Sequence, residues 1–79
     1  MENKEMIYNS LKEKYNITVT KKQLAEILSS SISFIDKCIM KGENIPNYKK
    51  LGSSKNSKVI FTLTDVADFL CNTTKVYHY

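Results

Sequence analysis

The feature that most constrains this chain is a pair of helix signals only three residues apart, on either side of Ser29-Ser30-Ser31. The first begins at Thr20-Lys21-Lys22-Gln23, which has the form of a capping box. The Thr20 hydroxyl can accept from the Gln23 amide while the Gln23 side chain reaches back to the Thr20 amide. Val19 before the cap and Leu24 after it occupy the positions of a hydrophobic staple. Leu24, Ala25, Ile27 and Leu28 then crowd one face, and the run stops at the serines, whose hydroxyls favour caps and turns over helix interiors. Ser31 is the natural cap of a second helix, Ile32 to Lys41, which ends at Gly42, a residue suited to the position just past a helix. That helix carries Ile35, Cys38 and Ile39 on one stripe and Ser33, Asp36, Lys37 and Met40 on the opposite one.

So short a turn implies a steep crossing, the helix-turn-helix arrangement whose second helix enters a major groove. The alternative is an ordinary helical pair inside a small core, and the following residues favour the first reading. Pro46 ends the helical region, and residues 48–51 and 59–63 are plausible strands on either side of a polar loop, 52–58, rich in turn formers. This is the pattern of a wing. Thr62 with Asp65, and Phe61 with Val66 as a staple, start a last helix whose Val66, Phe69 and Leu70 can close the core. Asp65 and Asp68 turn that helix away from any phosphate. The expected fold class is mainly α with a small β-hairpin wing. A winged helix-turn-helix spans residues 18–70, preceded by an amphipathic helix and connector (1–17) and followed by a tail (71–79). In the leading segment Ile7, Leu11 and Tyr15 recur every four residues. This helix either packs on the open side of the domain or pairs with a second copy. In the tail, Val76, Tyr77 and Tyr79 are candidates for docking, and His78 stands alone.

Charge distribution points the same way. Between Lys37 and Lys58 six lysines (37, 41, 49, 50, 55 and 58) face Glu43 alone, a local +5, whereas the remaining six lysines face seven acids, a local −1. The formal net charge of +4 therefore resides in the second helix and the hairpin. A patch of that kind is the footprint of a polyanion. Taken alone it could be a solvated face that keeps the chain dissolved. The chain contains no arginine, the usual bidentate partner of guanine. Base readout would therefore rest on Lys, Ser, Asn, Gln, Asp or apolar contact with thymine methyls, and an A·T-rich target is expected. Phe34 is expected in the core, as large aromatics at helical spacing usually are, with stacking on a thymine methyl as the alternative. Asp36 either accepts from a cytosine amino group or serves the helix dipole and holds Lys37 or Lys41; Met40 is an adaptable contact or simply exposed.

The order Val19 to Leu28, Ser31 to Lys37, Ile45-Pro46, Lys50-Leu51-Gly52 and Phe61 to Leu70 resembles the winged-helix domain of phage excisionases and AlpA-type prophage regulators, relatives of the MerR DNA-binding domain. The resemblance covers about two thirds of the chain. It implies a small double-stranded DNA binder that decorates attachment sites or activates a promoter. By position it puts Ser33, Asp36, Lys37 and Met40 against base edges or phosphates, and Lys55, Asn56 and Lys58 on the backbone or in a minor groove. With their neighbours Ser31, Ile32, Lys41, Lys49, Lys50, Ser53 and Ser54, these residues make up the expected DNA-contacting set. Three positions depart from the family pattern. Ser29 stands where a glycine is usual, so it either accepts an unfavourable backbone conformation or makes a different turn. Cys38 replaces a core aromatic, which suggests that Phe34 or Tyr48 fills that space, and Ile32 occupies a spot that is often basic.

Other classes lack their parts. Acid–base catalysis needs convergent titratable groups, whereas the acids here are scattered along helix surfaces, with no phosphate-binding glycine loop and one tail histidine. No enzyme activity, cofactor or metal is expected. Cys38 and Cys71 have no metal-ligand spacing and are expected as buried thiols. No long apolar run or cleavable signal is evident, so a cytoplasmic, nucleoid-associated location is expected, without a membrane partner. The partners expected are double-stranded DNA, a second copy paired or side by side on it, and a recombinase or other regulator. The alternative function is a protein-binding adaptor that docks the same scaffold on a recombinase, polymerase or repressor.

Overall fold

The computed structural model describes residues 4–52 and 58–72. These form four helices and a three-stranded antiparallel sheet, in the order α1 (Lys4–Lys12), β1 (Thr18–Val19), α2 (Lys21–Ile27), α3 (Ile32–Lys41), β2 (Lys49–Leu51), β3 (Lys58–Thr62) and α4 (Leu63–Cys71). The arrangement is mostly helical and compatible with a helix-turn-helix followed by a wing.

Local chemistry sets the helix starts. Both halves of the Thr20 capping box form, with the Gln23 amide donating to Thr20 Oγ1 at 3.2 Å and the Thr20 amide donating to Gln23 Oε1 at 3.0 Å. Ser31 Oγ accepts from the Phe34 amide at 3.1 Å, and Thr62 Oγ1 accepts from the Asp65 amide at 3.1 Å. Both staple pairs, Val19 with Leu24 and Phe61 with Val66, lie buried in one cluster.

The helix ends follow one device used twice. After α3 the Glu43 amide donates to the Cys38 carbonyl and the Gly42 amide to the Ile39 carbonyl, with Gly42 left-handed at φ 71°. This is a Schellman motif, and glycine is its natural residue. After α2 the Ser30 amide donates to the Ala25 carbonyl at 2.7 Å and the Ser29 amide to the Glu26 carbonyl at 3.1 Å. The geometry is the same, yet Ser29 holds φ 54° with a side chain that disfavours it. Of the two options left by the sequence, Ser29 takes the strained one and keeps the turn.

β3 is the central strand, paired with β1 through Thr18↔Thr62 and Val19↔Phe61 and with β2 through Lys49↔Ile60, Lys50↔Val59 and Leu51↔Lys58. Val59 and Phe61 point inward, where they meet Val19, Leu24, Ala25, Ile35, Leu63 and Val66. The strands differ slightly from the expected spans, because the Thr62 cap turns Leu63 into the first residue of α4. β1 was not expected; it is two residues long and its Val19 already had a role as a staple.

α1 packs along α4, and its Tyr8 and Leu11, with Tyr15 from the turn that follows, lie against the core cluster, so within this chain the leading helix covers the domain. Lys4 and Asp68 add a half-exposed ion pair at 3.8 Å, worth little in water. Two expectations about the core fail. Phe34 is 44% exposed and lies outside the core cluster, while Tyr48 rests on Phe61, ring centroids 5.9 Å apart and tilted by 58°. Both cysteines are free thiols, but only Cys38 is buried, while Cys71 at the end of α4 is exposed.

Two stability experiments test this account. Ser29→Gly should relieve ~1–2 kcal/mol of left-handed strain against ~0.5–1 kcal/mol of added chain entropy. The net gain should appear as a melting temperature ~2–8 °C higher by circular dichroism; an unchanged or lower value would mean that the strain is no larger than the chain entropy that glycine adds. Phe61→Ala should remove about 3–5 kcal/mol, a large part of the stability of so small a domain, and abolish a cooperative thermal melt.

Candidate nucleic-acid interface

α3 is held by its inner stripe. Ile35 is wholly buried and Cys38 nearly so, and the helix packs against α2 while β3 packs against α2 and α4. Because Ile35, Val59 and Phe61 share one cluster, the helix and the hairpin are anchored in the same core. The outer stripe of α3 is left to solvent. Ser31, Ile32, Ser33, Phe34, Asp36, Lys37, Met40 and Lys41 are all exposed.

The hairpin adds Lys49, Lys50 and Lys58, also exposed. Its register puts Lys49, Leu51, Lys58 and Ile60 on the outer face, whereas Lys50, opposite Val59, lies at the rim of the inner face. Among the described residues Lys37, Lys41, Lys49, Lys50 and Lys58 have no ion-pair partner, so their charge is uncompensated. The tip residues Ser53, Ser54, Lys55 and Asn56 lie outside the described residues, as does the tail from residue 73.

Asp36 has a partner that the sequence reading did not foresee. Lys21 Nζ, in the first turn of α2, donates to Asp36 Oδ1 at 2.6 Å, so the carboxylate ties the two helices together instead of holding Lys37 or Lys41. The pair is partly open to water, with side-chain exposures of 34% and 52%. A pair so open to water adds little to stability. Ser31 Oγ is engaged as the cap acceptor, yet its proton stays free to donate outward.

Phe34, expected in the core with a surface position as the alternative, takes the alternative. The signal was present: the buried stripe runs through Ile35, Cys38 and Ile39, and Phe34 falls outside it, three and seven residues before Lys37 and Lys41. Periodicity alone would have placed it with the lysines. On the other side of the fold, Asp65 and Asp68 line a shallow groove with Ile45, Pro46, Asn47, Phe69 and Asn72, and Asp68 accepts from the Asn72 side chain at 3.1 Å. No helix among the described residues is long and apolar enough to cross a membrane, and no group of three metal-ligating side chains occurs among them.

Comparison with known proteins adds no relative: no protein-family model, curated protein or solved structure matches the chain.

A double-mutant cycle on Lys21→Ala and Asp36→Ala should give a coupling below ~1 kcal/mol at low salt that vanishes near ~0.5 M salt, as expected for a solvent-open pair. A coupling of several kcal/mol that survives salt would mean that the pair is shielded from water.

Proposed function

We propose that this chain is a sequence-preferring double-stranded DNA-binding protein of the excisionase-like or transcription-regulating kind. The reading takes the fold as a winged helix-turn-helix, with α3 as the recognition helix in the major groove and the hairpin 49–58 on the adjacent backbone. The observation that carries it is the outer stripe of α3: a solvent-facing helix surface anchored by its opposite stripe, bordered by five exposed lysines that no acid neutralises. Each lysine that approaches a phosphate releases counterions, which supplies affinity without regard to sequence. Side chains at the start of α3 supply the preference.

One such module covers a modest area of DNA, ~600–1,000 Å², so useful affinity calls for two copies, paired or side by side. The resemblance to excisionases and prophage regulators supports the same reading through the order of its sequence elements. An adaptor that docks on another protein is the second reading, favoured by the exposed Ile32, Phe34, Met40 and Leu51.

Fluorescence anisotropy with random and A·T-rich duplexes at several salt concentrations separates the two. DNA binding through several lysines should fall along a log–log slope of roughly −3 to −6, whereas apolar docking gives no such dependence and no duplex binding. Lys37→Ala should lower affinity or shift site preference, while Lys58→Ala should weaken all duplexes about equally and reduce the salt slope by about one. Indifference to both substitutions would remove the docking model.

A further inference from the structure

We infer that Phe34, with Ile32 and Met40, reads the C5 methyl groups of thymine in the major groove, so that apolar contact sets the site preference of this chain. The inference rests on the DNA-binding reading above and names the groups that would discriminate between sequences within it.

The exposed surface of α3, its outer stripe and both flanks, is unusual in what it carries. Ile32 is 45% exposed, Phe34 44% and Met40 83%, so three of the ten residues of the helix present large apolar side chains to solvent. Phe34 and Met40 each lie three positions from Lys37, and Phe34 seven from Lys41, so these four are within reach of the same partner, while Ile32 sits at the start of the helix on its other flank. A surface of this kind fits a partner that is anionic at its rim and apolar at separated points inside. The major groove of an A·T-rich duplex has that character: phosphates line both walls, and the thymine methyl is the apolar group among the base edges. A lipid surface would match the charge but would need a continuous apolar stripe, which Ser33, Asp36 and Lys37 interrupt.

Readers of G·C pairs are scarce on the same stripe. The chain has no arginine. Asp36, the residue suited to a cytosine amino group, is occupied by Lys21 at 2.6 Å. The lysines can reach guanine O6 and N7, but as point charges without the guanidinium fork they fix the base less sharply than arginine does. Ile32 and Phe34 also occupy the first turn of α3, the part of a recognition helix that meets base edges.

The test uses the full chain. A random duplex pool is enriched on the protein, and the enriched duplexes are resynthesised with deoxyuridine in place of thymidine, which removes only the methyl. Affinity should fall roughly four-fold for each contacted methyl, with the salt slope unchanged. Phe34→Ala should lower the thymidine-to-deoxyuridine affinity ratio about four-fold for each methyl contact that the ring supplied. Met40→Ala, at a far more exposed position, should reduce the ratio as well, and it keeps the test decisive if the Phe34 variant melts early. Equal binding of the two duplexes overturns the inference and leaves DNA binding standing. A ratio that persists in both variants overturns it too, since other residues would then be reading the methyls. Failure to enrich or bind any duplex at low salt overturns the DNA reading with it, and the three side chains would then belong to a protein contact.

Discussion

β3 brings Phe61 into the centre of the molecule with no surface left to water, and every other part of the domain reaches that ring or its neighbours from a different side. Val19 pairs with it across the sheet, Tyr48 leans on it from the β2 side, Leu24 comes from α2, Ile35 from α3, and Leu63 and Val66 from α4. In a chain of this length the core buries only a modest share of the surface, so a single shared contact has to organise several elements at once. Burying one Phe contributes on the order of 1.5–3 kcal/mol from transfer alone. The further loss on truncation comes from the void left among six or more partners. α1 extends the same core outward by covering it with Tyr8, Leu11 and Tyr15.

This arrangement determines which side of α3 is available. Ile35 belongs to the cluster, Ile39 packs against it and Cys38 is buried beside them, so the opposite stripe turns to solvent, where Asp36 meets Lys21. The turn that precedes it is equally constrained. Four residues, 28–31, separate α2 from α3, and the reversal works because Ser29 accepts a left-handed backbone that satisfies the Ala25 and Glu26 carbonyls. A glycine there would relax the strain. Keeping serine leaves a polar side chain at the exposed corner between the helices, and nothing in the structure requires it.

What could be read from the sequence divides by range. Caps and staples are local rules, a few residues wide, and Thr20, Ser31, Thr62, Val19–Leu24 and Phe61–Val66 all do what their spacing implies. The span of α3 was legible for the same reason, since Ser31 and Gly42 bracket it. The features that were missed depend on chain segments distant in sequence. β1 exists because β3 offers an edge to Thr18 and Val19, whose β-branched side chains suit a strand but whose run of two is too short to mark one locally. Asp36 finds Lys21 only once α2 and α3 are packed. Cys71 is exposed because α4 ends just after it, which no local pattern fixes. Phe34 is a different kind of miss: its type suggested the core while its phase on the helix put it with the lysines, and phase decided.

The exposed phenyl ring also bears on how such a surface would divide its work in the proposed binding mode. Lysine is a strongly hydrated point charge on a flexible stem, so its contribution to DNA binding tolerates small changes in position and carries little sequence information. Side chains such as Phe34 and Ile32 have the opposite character: they gain only where an apolar group meets them, and they lose when a polar edge must be desolvated in its place. With discrimination resting on short-range apolar contact and affinity on long-range charge, the two respond to different variables. Salt would set how tightly the protein binds at all, through Lys37, Lys41, Lys49, Lys50 and Lys58, and would leave the ranking of sites nearly unchanged. Methyl placement along the groove would set the ranking and leave the salt slope alone. An arginine-based surface couples those two properties, because one guanidinium is both the charge and the fork that recognises guanine. In the proposed binding mode, the absence of arginine from this chain would let them separate.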